Sequence, residues 1–140
     1  MLYKPYKHLV QYYETDQMGI VHHSNYIRWF EEARSYLLEE NGFGYKKMEE
    51  LGIISPVLSV NARYKSMTHY YDTVIINVKV VKYNGVKITL EYTVVDEKTG
   101  EVRCTGKSEH CFLDTSGRPV SLKRSLPELN VMFIDMSENE

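Results

Sequence analysis

The chain has 140 residues, with 17 Lys and Arg against 19 Asp and Glu, and its formal net charge is −2. This near balance excludes a whole-protein attraction to nucleic acid or to an anionic membrane surface. A hydrophobic content of 43% excludes a disordered chain, so we expect one folded domain over residues 1–140.

The cellular location of the protein is predicted from two kinds of segment, a signal peptide and a membrane helix, neither of which the sequence contains. The first residues, MLYKPYKHLVQ, have no apolar run of the kind found in a signal peptide. No stretch approaches the ~20 apolar residues of a membrane helix. The two cysteines, Cys104 and Cys111, lie seven apart in a strand-like stretch and should point to opposite faces, as unpaired thiols. We therefore expect a cytoplasmic protein without membrane insertion.

The first part of the chain predicts a short strand and then a long helix. A strand is expected over residues 7–13, followed by the polar loop ETDQMG over residues 14–19. The helix begins between Val21 and Asn25 and ends at Asn41-Gly42, since glycine tolerates the left-handed cap. Its apolar side chains recur at steps of three and four residues: Tyr26, Trp29, Phe30, Ala33 and Leu37. A shorter helix is expected over residues 45–51.

From Ile54 onward the apolar period changes to two, which is typical of strands. Four runs are expected, over residues 58–64, 74–80, 86–94 and 101–113, and Asn84-Gly85 indicates a two-residue hairpin. The prediction is an α+β domain in which four antiparallel strands form a meander and pack on the long helix. The acidic end, from about residue 129, is expected to fray.

Several kinds of enzyme site are excluded by their missing motifs. The sequence has no G-x-S-x-G elbow, Walker loop, G-x-G-x-x-G or H-E-x-x-H. The five histidines have no metal-ligand spacing, and His22 and His23 are adjacent, so their side chains diverge. We therefore expect neither a metal nor a cofactor.

Asp16 is the candidate for chemistry, because it lies a few residues before the long helix. The N-terminus of a helix has unpaired amide N–H groups and a partial positive charge, which can hold an oxyanion. Acyl transfer needs a carboxylate and such donors at one place. The alternative, which physical chemistry alone favours, is that Asp16 only caps its turn.

The segment over residues 12–34 resembles the signature of the 4-hydroxybenzoyl-CoA thioesterase-like hotdog family, including the acyl-CoA thioesterases associated with the bacterial Tol-Pal system. The resemblance extends through residues 55–64 and the strand pattern to about residue 119. The residues that carry it are Tyr13, Asp16, Gly19, Ile20, Val21, His23, Asn25, Tyr26, Glu31, Glu32, Ala33 and Arg34.

The resemblance implies a hotdog fold, in which a five-stranded antiparallel sheet wraps around one long central helix. It implies hydrolysis of an acyl-CoA to a free acid and CoA. Asp16 matches the catalytic carboxylate, as nucleophile or as general base. The backbone N–H of His23 matches the donor that polarises the thioester carbonyl, and Gly19 lets the loop approach the substrate.

The resemblance also implies contacts with the substrate and between subunits. The expected partners are acyl-CoA or an acyl carrier protein, and copies of the chain that pair edge to edge into dimers or tetramers. The segment over residues 65–69 departs from the family, which often has proline and arginine there. The candidate substrate- and CoA-binding residues are Val21, Asn25, Lys65, Lys82, Asn84 and Lys87.

Other functions are compatible with the same fold, because fold does not fix function. A non-catalytic module that binds acyl-CoA or an acyl carrier would not need Asp16. A dehydratase would need a histidine and an acid arranged for proton shuttling. The hydratase pattern, a histidine five residues after the aspartate, is not met, since His22 is the sixth residue after Asp16. Should Asp16 not be the catalytic carboxylate, Glu14 and Glu32 are the next candidates. A nucleic-acid binder is disfavoured by the balanced charge.

Overall fold

Five strands form one antiparallel sheet, and a long helix lies against it. The computed structural model describes residues 3–138. The elements are β1 Tyr6–Leu9, α1 Ser24–Glu40, α2 Tyr45–Glu50, β2 Val57–Tyr64, β3 Thr73–Tyr83, β4 Lys87–Asp96, β5 Val102–Cys111, α3 Leu122–Ser125 and α4 Pro127–Glu138. Both predicted helices, α1 and α2, are present, and α1 lies where the apolar spacing indicated it.

The strand order is β1-β3-β4-β5-β2. Strands β3, β4 and β5 form the expected meander, but β2 pairs with β5 at the far edge, with Tyr64 opposite Cys104. The predicted four-strand meander is therefore wrong for β2. The reason is that β1 occupies the free edge of β3, with Tyr6 opposite Ile76, so that β2 has no place beside β3.

The first strand is shorter than predicted. It ends at Leu9, and residues Tyr12–Glu14 form a short 3-10 helix. The carboxylate of Glu14 accepts a hydrogen bond from the Gln11 backbone N–H at 2.8 Å, which closes this turn. The side chain of Glu14 thus competes with continued strand pairing and bends the chain towards α1.

Helix α1 packs its aromatic stripe onto the sheet, as its spacing predicted. Trp29 and Phe30 are fully buried, and the Phe30 ring stacks on Tyr92 of β4 with ring centroids 4.4 Å apart. Gly106 of β5 lies directly beneath Phe30. A Cβ at this position would come within 2.5 Å of the ring, so the close approach of α1 requires glycine there.

The β3–β4 hairpin is present at the predicted place, but its loop is longer than two residues. Strand β3 ends at Tyr83 and β4 begins at Lys87, which leaves residues 84–86 as the connection. The Asn84 Oδ1 accepts hydrogen bonds from the backbone N–H groups of Val86 and Lys87, at 3.0 and 2.8 Å. Asparagine therefore closes the turn through its side chain.

The end of the chain forms helix α4, where fraying was predicted; residues 139 and 140 lie outside the described residues. The Phe133 ring lies 5.3 Å from Tyr83, and Asn130 accepts a 2.5 Å hydrogen bond from the Tyr83 hydroxyl. The prediction of fraying rested on the acidic residues and did not consider the apolar residues between them, which recur at helical spacing and form one buried face. Its buried residues are Leu129, Met132, Phe133 and Met136.

A chain of buried polar groups connects α1 with β4 and β5. The Arg34 guanidinium donates to the Tyr92 hydroxyl at 2.8 Å. Hydrogen bonds then join Tyr92 to Ser108 at 2.6 Å, and Ser108 to the His110 Nε2 at 2.7 Å. Burial, with the nearby Arg34 charge, lowers the pKa of His110 to about 4. His110 is therefore neutral in the folded protein at neutral pH.

This shift makes stability depend on pH. An unfolded histidine takes up a proton near pH 6.5, whereas folded His110 does not until about pH 4, so the unfolded state binds more protons between these values. We expect the free energy of unfolding to fall by about 2 kcal/mol through His110 between pH 7 and pH 5. Urea unfolding of His110→Gln at both pH values should show a loss smaller by that amount, while the exposed control His69→Gln keeps the parent's loss. An equal loss in His110→Gln and in the parent would contradict the prediction.

Candidate active site

The residues over 15–21, called here the Asp16 loop, form a tight excursion between the 3-10 helix and α1. Thr15 and Val21 pair across its base, and the Asp16 N–H donates to the Ile20 carbonyl at 2.9 Å. Gly19 donates its N–H to the Asp16 carbonyl, with φ at +78°. Gly19 therefore has a conformational role in the turn, and it does not line the cleft described below.

The carboxylate of Asp16 is half-buried, and its Oδ1 accepts a 2.8 Å hydrogen bond from the Met18 N–H. This contact is the turn-capping one that the alternative interpretation expected. The bond stays within the loop, however, because the residue preceding α1 is His23. Capping therefore fixes the Asp16 side chain without placing it on the helix terminus.

The backbone that leads into α1 leaves one amide available. The N–H of Val21 donates to the Thr68 carbonyl and that of His22 donates to the Glu14 carbonyl, both at 2.8 Å. The Ser24 N–H donates to the His22 Nδ1 at 3.3 Å. Among the hydrogen bonds within residues 3–138, none uses the His23 N–H. This amide lies at the start of α1, where the helix dipole also favours negative charge.

A cleft of about 540 Å³ brings several of the predicted residues together. Its size is that of a ligand site. Of the predicted site residues, it is lined by Asp16, Val21, His23 and Lys65. The cleft walls that were not predicted from the sequence are Met18, Ile20, Tyr64, Ser66, Met67 and Thr68. Tyr26 also lines the cleft, and it is buried in the core as its spacing predicted.

Two tyrosines that line the cleft, Tyr26 and Tyr64, form hydrogen bonds with other residues of the cleft wall. The Tyr26 hydroxyl, on α1, donates to the Thr68 hydroxyl at 2.9 Å. The Tyr64 hydroxyl, at the end of β2, donates to the His23 carbonyl at 3.3 Å. The segment after β2, which departs from the family pattern, thus forms part of the cleft. Its role could not be identified from spacing, because it meets α1 only in the folded chain.

Asn25, a predicted substrate contact, has a structural position. Its side chain is buried, and its Nδ2 donates to the Glu14 carbonyl at 2.9 Å. Since the Asn25 amide is already used to hold the backbone before the Asp16 loop, it does not line the cleft. It tethers the loop to the first turn of α1.

The hairpin residues predicted to bind CoA lie elsewhere in the chain. Lys82, Asn84 and Lys87 line a shallow surface depression at the hairpin. The cleft is at the other end of the sheet. There Tyr64 of β2 pairs with Cys104 of β5, and Cys104 pairs in turn with Val94 of β4. Val94 is six residues beyond Ile88, so the two sites are separated by roughly 20 Å along the strand at ~3.3 Å per residue. Within one chain, the structure does not bring these three residues to Asp16.

Glu14 is a buried carboxylate that the sequence analysis considered only as a substitute for Asp16. It is 5% exposed, and its oxygens lie 2.8 Å from the Gln11 N–H, the His8 Nε2 and the Trp29 Nε1. Burial alone would raise the pKa of Glu14, but these hydrogen bonds outweigh it and hold the pKa below its ordinary value. Neither Glu14 nor the other substitute, Glu32, lines the cleft.

Metal clusters and membrane-spanning helices would each point to another class of function. Within residues 3–138, no group of three or more His, Cys, Asp or Glu side chains is placed to hold a metal ion. In the same part of the chain, no helix has the length and apolar character needed to cross a membrane.

Comparison with known proteins identifies the family. The model of the thioesterase-like superfamily matches residues 10–130. A Bacillus subtilis (strain 168) protein, "Putative acyl-CoA thioesterase YneP", is 36% identical over 125 residues, which are 89% of this chain and 90% of that protein. The crystal structure of a DHNA-CoA thioesterase from Staphylococcus aureus superposes with a TM-score of 0.91 at 34% identity, covering 99% of this chain and 93% of that one.

A second Staphylococcus aureus protein, solved in complex with CoA, has a TM-score of 0.87 and covers 100% of this chain and 88% of its own. At 17% identity, this likeness supports the fold alone. The family model, the Bacillus relative and the DHNA-CoA thioesterase each match most of the chain. The chain therefore belongs to the thioesterase-like superfamily, and the predictions of a hotdog fold and of a thioesterase are confirmed.

Proposed function

We propose that this protein hydrolyses acyl-CoA thioesters, with Asp16 as the catalytic carboxylate and the His23 N–H as the oxyanion donor. The observation that carries the proposal is that both residues line one cleft, and that the His23 N–H has no partner within residues 3–138. The similarity to YneP and to the DHNA-CoA thioesterase supports it. The Tol-Pal assignment stays a prediction, since neither relative bears such a name.

Two routes fit the same arrangement of groups. In the first, an Asp16 oxygen attacks the thioester carbon, the carbonyl oxygen becomes an oxyanion facing the His23 N–H, and the C–S bond breaks to release the CoA thiolate. Water then hydrolyses the resulting anhydride and restores Asp16. In the second, Asp16 takes a proton from water as the water attacks the same carbon, and the C–S bond then breaks as the departing sulfur takes that proton from Asp16. Both give the free acid and CoA and need no redox partner.

The walls of the cleft support an apolar acyl group. Met18, Ile20 and Met67 provide aliphatic surface, and the rings of Tyr26 and Tyr64 lie 5.4 Å apart on the same cleft. DHNA-CoA, named for the Staphylococcus relative, is the first thioester to test. Lys65 is the lysine among the cleft residues and is exposed, so it is available to the phosphates of CoA.

The active form is proposed to be a dimer or tetramer that pairs through β2. This strand is an edge of the sheet, and edge strands pair readily. Its apolar side chains Val57, Leu58, Val60 and Tyr64 are all exposed in the single chain. Antiparallel pairing of two β2 edges would turn the hairpin of one copy towards the cleft end of the other. In that assembly Lys82 and Lys87 could still serve a neighbouring site.

Asp16→Asn tests the catalytic role, because it keeps the shape of the side chain and removes its basicity. We expect a folded protein with kcat lowered by at least about 100-fold. Asp114→Asn is the matched control, since Asp114 also accepts backbone N–H groups within its own turn. If Asp16 only caps its turn, the two variants should hydrolyse acyl-CoA equally fast. Thiol release from a panel of acyl-CoA substrates, with circular dichroism for folding, distinguishes these results.

The lysines are tested by removing their charge. Lys65→Gln, and separately Lys82→Gln with Lys87→Gln, should raise KM for acyl-CoA and leave kcat nearly unchanged, the pattern of lost uniform binding. The effect should shrink at high salt, because exposed charges are screened. The same acyl group on pantetheine has no nucleotide phosphates, so its kinetics should not change. Equal damage to both substrates would contradict phosphate binding, and damage to neither would favour an acyl carrier protein.

Assembly is tested at the two edges of the sheet. At micromolar concentration the parent should have the solution mass of a dimer or a tetramer of 16.4 kDa chains. Leu58→Lys places a charge on the β2 edge and should shift the mass towards one chain. Leu9→Lys is the matched control on β1, since Leu9 is 40% and Leu58 is 51% exposed. Light scattering coupled to size exclusion gives the masses. A fully active parent with the mass of one chain would overturn the proposal.

A further inference from the structure

We propose that Glu14 is a positioning residue for hydrolysis, whose buried carboxylate and carbonyl together fix the Asp16 loop relative to the N-terminus of α1. This inference rests on the proposed function of Asp16 and His23. It concerns how the distance between these two groups is set.

The carboxylate of Glu14 connects three elements of the fold. One oxygen, Oε1, accepts from the Gln11 N–H and lies 2.8 Å from the His8 Nε2 of β1. The other, Oε2, accepts from the Trp29 indole N–H of α1 at 2.8 Å. Both Glu14 and Trp29 are buried, so these bonds are shielded from water. Charge-assisted hydrogen bonds of this kind are about twice as strong as neutral ones.

The carbonyl of the same residue holds the opposite side of the loop. It accepts the His22 N–H at 2.8 Å and the Asn25 Nδ2 at 2.9 Å. Residue 14 therefore lies two residues before Asp16 and is bonded to His22 and Asn25, which flank His23. The loop is closed between these contacts, so displacement of Glu14 would change the separation of Asp16 from the His23 N–H.

The contacts also explain why Glu14 does not act as the base. Its oxygens are occupied by three N–H groups and do not line the cleft. Glu32 provides a contrast on the other side of His8. It lies 3.5 Å from the His8 Nδ1 and accepts from the Tyr6 hydroxyl, and no hydrogen bond joins it to the Asp16 loop within residues 3–138. Glu32 is therefore a matched control for loss of a carboxylate beside His8.

The variant Glu14→Gln keeps the size of the side chain but replaces one oxygen with an NH₂ group. Whether the NH₂ group replaces Oε1 or Oε2, it faces an N–H donor and cannot accept from it. At least one of the hydrogen bonds of Glu14 is therefore lost. Because a misplacement of about 1 Å can cost about 100-fold, we expect kcat to fall by about 10- to 100-fold. KM should stay within about twofold, since the cleft walls formed by α1, β2 and the segment after β2 lie outside the Asp16 loop and are unchanged. Glu32→Gln should retain the parent's kcat.

Two further readouts do not depend on catalysis. Trp29 is the single tryptophan of the chain, so its fluorescence reports directly on the bond to Glu14. Glu14→Gln should change the emission spectrum and accelerate backbone hydrogen exchange over residues 14–23, whereas Glu32→Gln should change neither. If Glu14→Gln does not fold, Trp29→Phe removes the indole N–H bond to Glu14 and leaves the Glu14 bonds to Gln11 and His8. It should then lower kcat and accelerate the same exchange.

The outcomes separate this inference from the proposed function. A folded Glu14→Gln with the parent's kcat and the parent's hydrogen exchange over 14–23 overturns the positioning role, as do equal losses of kcat in Glu14→Gln and Glu32→Gln. Asp16→Asn is measured in the same assay. If it is inactive while Glu14→Gln is fully active, only the positioning role fails. If the parent hydrolyses no acyl-CoA, the proposed function fails, and unchanged exchange in Glu14→Gln would then overturn the positioning role separately.

Discussion

The buried hydrogen bond from the Trp29 indole N–H to the Glu14 carboxylate joins the helix at the centre of the fold to the loop that carries Asp16. Trp29 is fixed by burial between α1 and the sheet, and Glu14 is fixed by Trp29. An unpaired buried polar group costs about 1–3 kcal/mol, so neither partner can move without losing stability. The position of the Asp16 loop thus follows from the packing of the core.

Helix α1 carries a second buried polar group in its C-terminal half. Arg34 donates to the hydroxyls of Tyr45 and Tyr92, and the chain of bonds continues to His110. A carboxylate is therefore held beside the N-terminal half of α1, and a guanidinium is held in its C-terminal half. Between them, Phe30 stacks on Tyr92 and separates the two polar clusters.

The exposed edge of the sheet and the candidate active site share a strand. Tyr64, the last residue of β2, lines the cleft, while Leu58 and Val60 on the same strand are exposed in the single chain. Burying these side chains in an assembly would also fix the strand end that contacts the His23 carbonyl. In the proposed assembly, subunit pairing and substrate binding are therefore physically linked.

The sequence by itself determined the local elements and the candidate carboxylate. Apolar spacing placed α1 and the meander strands, Asn84 marked the hairpin, and the family motif selected Asp16. Tertiary structure alone decided the place of β2, the burial of α4 and the contacts of Glu14. The physical reason is that periodicity reports which face of an element is apolar, and not which distant element covers it. Glu14 meets Trp29 fifteen residues away, and no spacing rule predicts that contact.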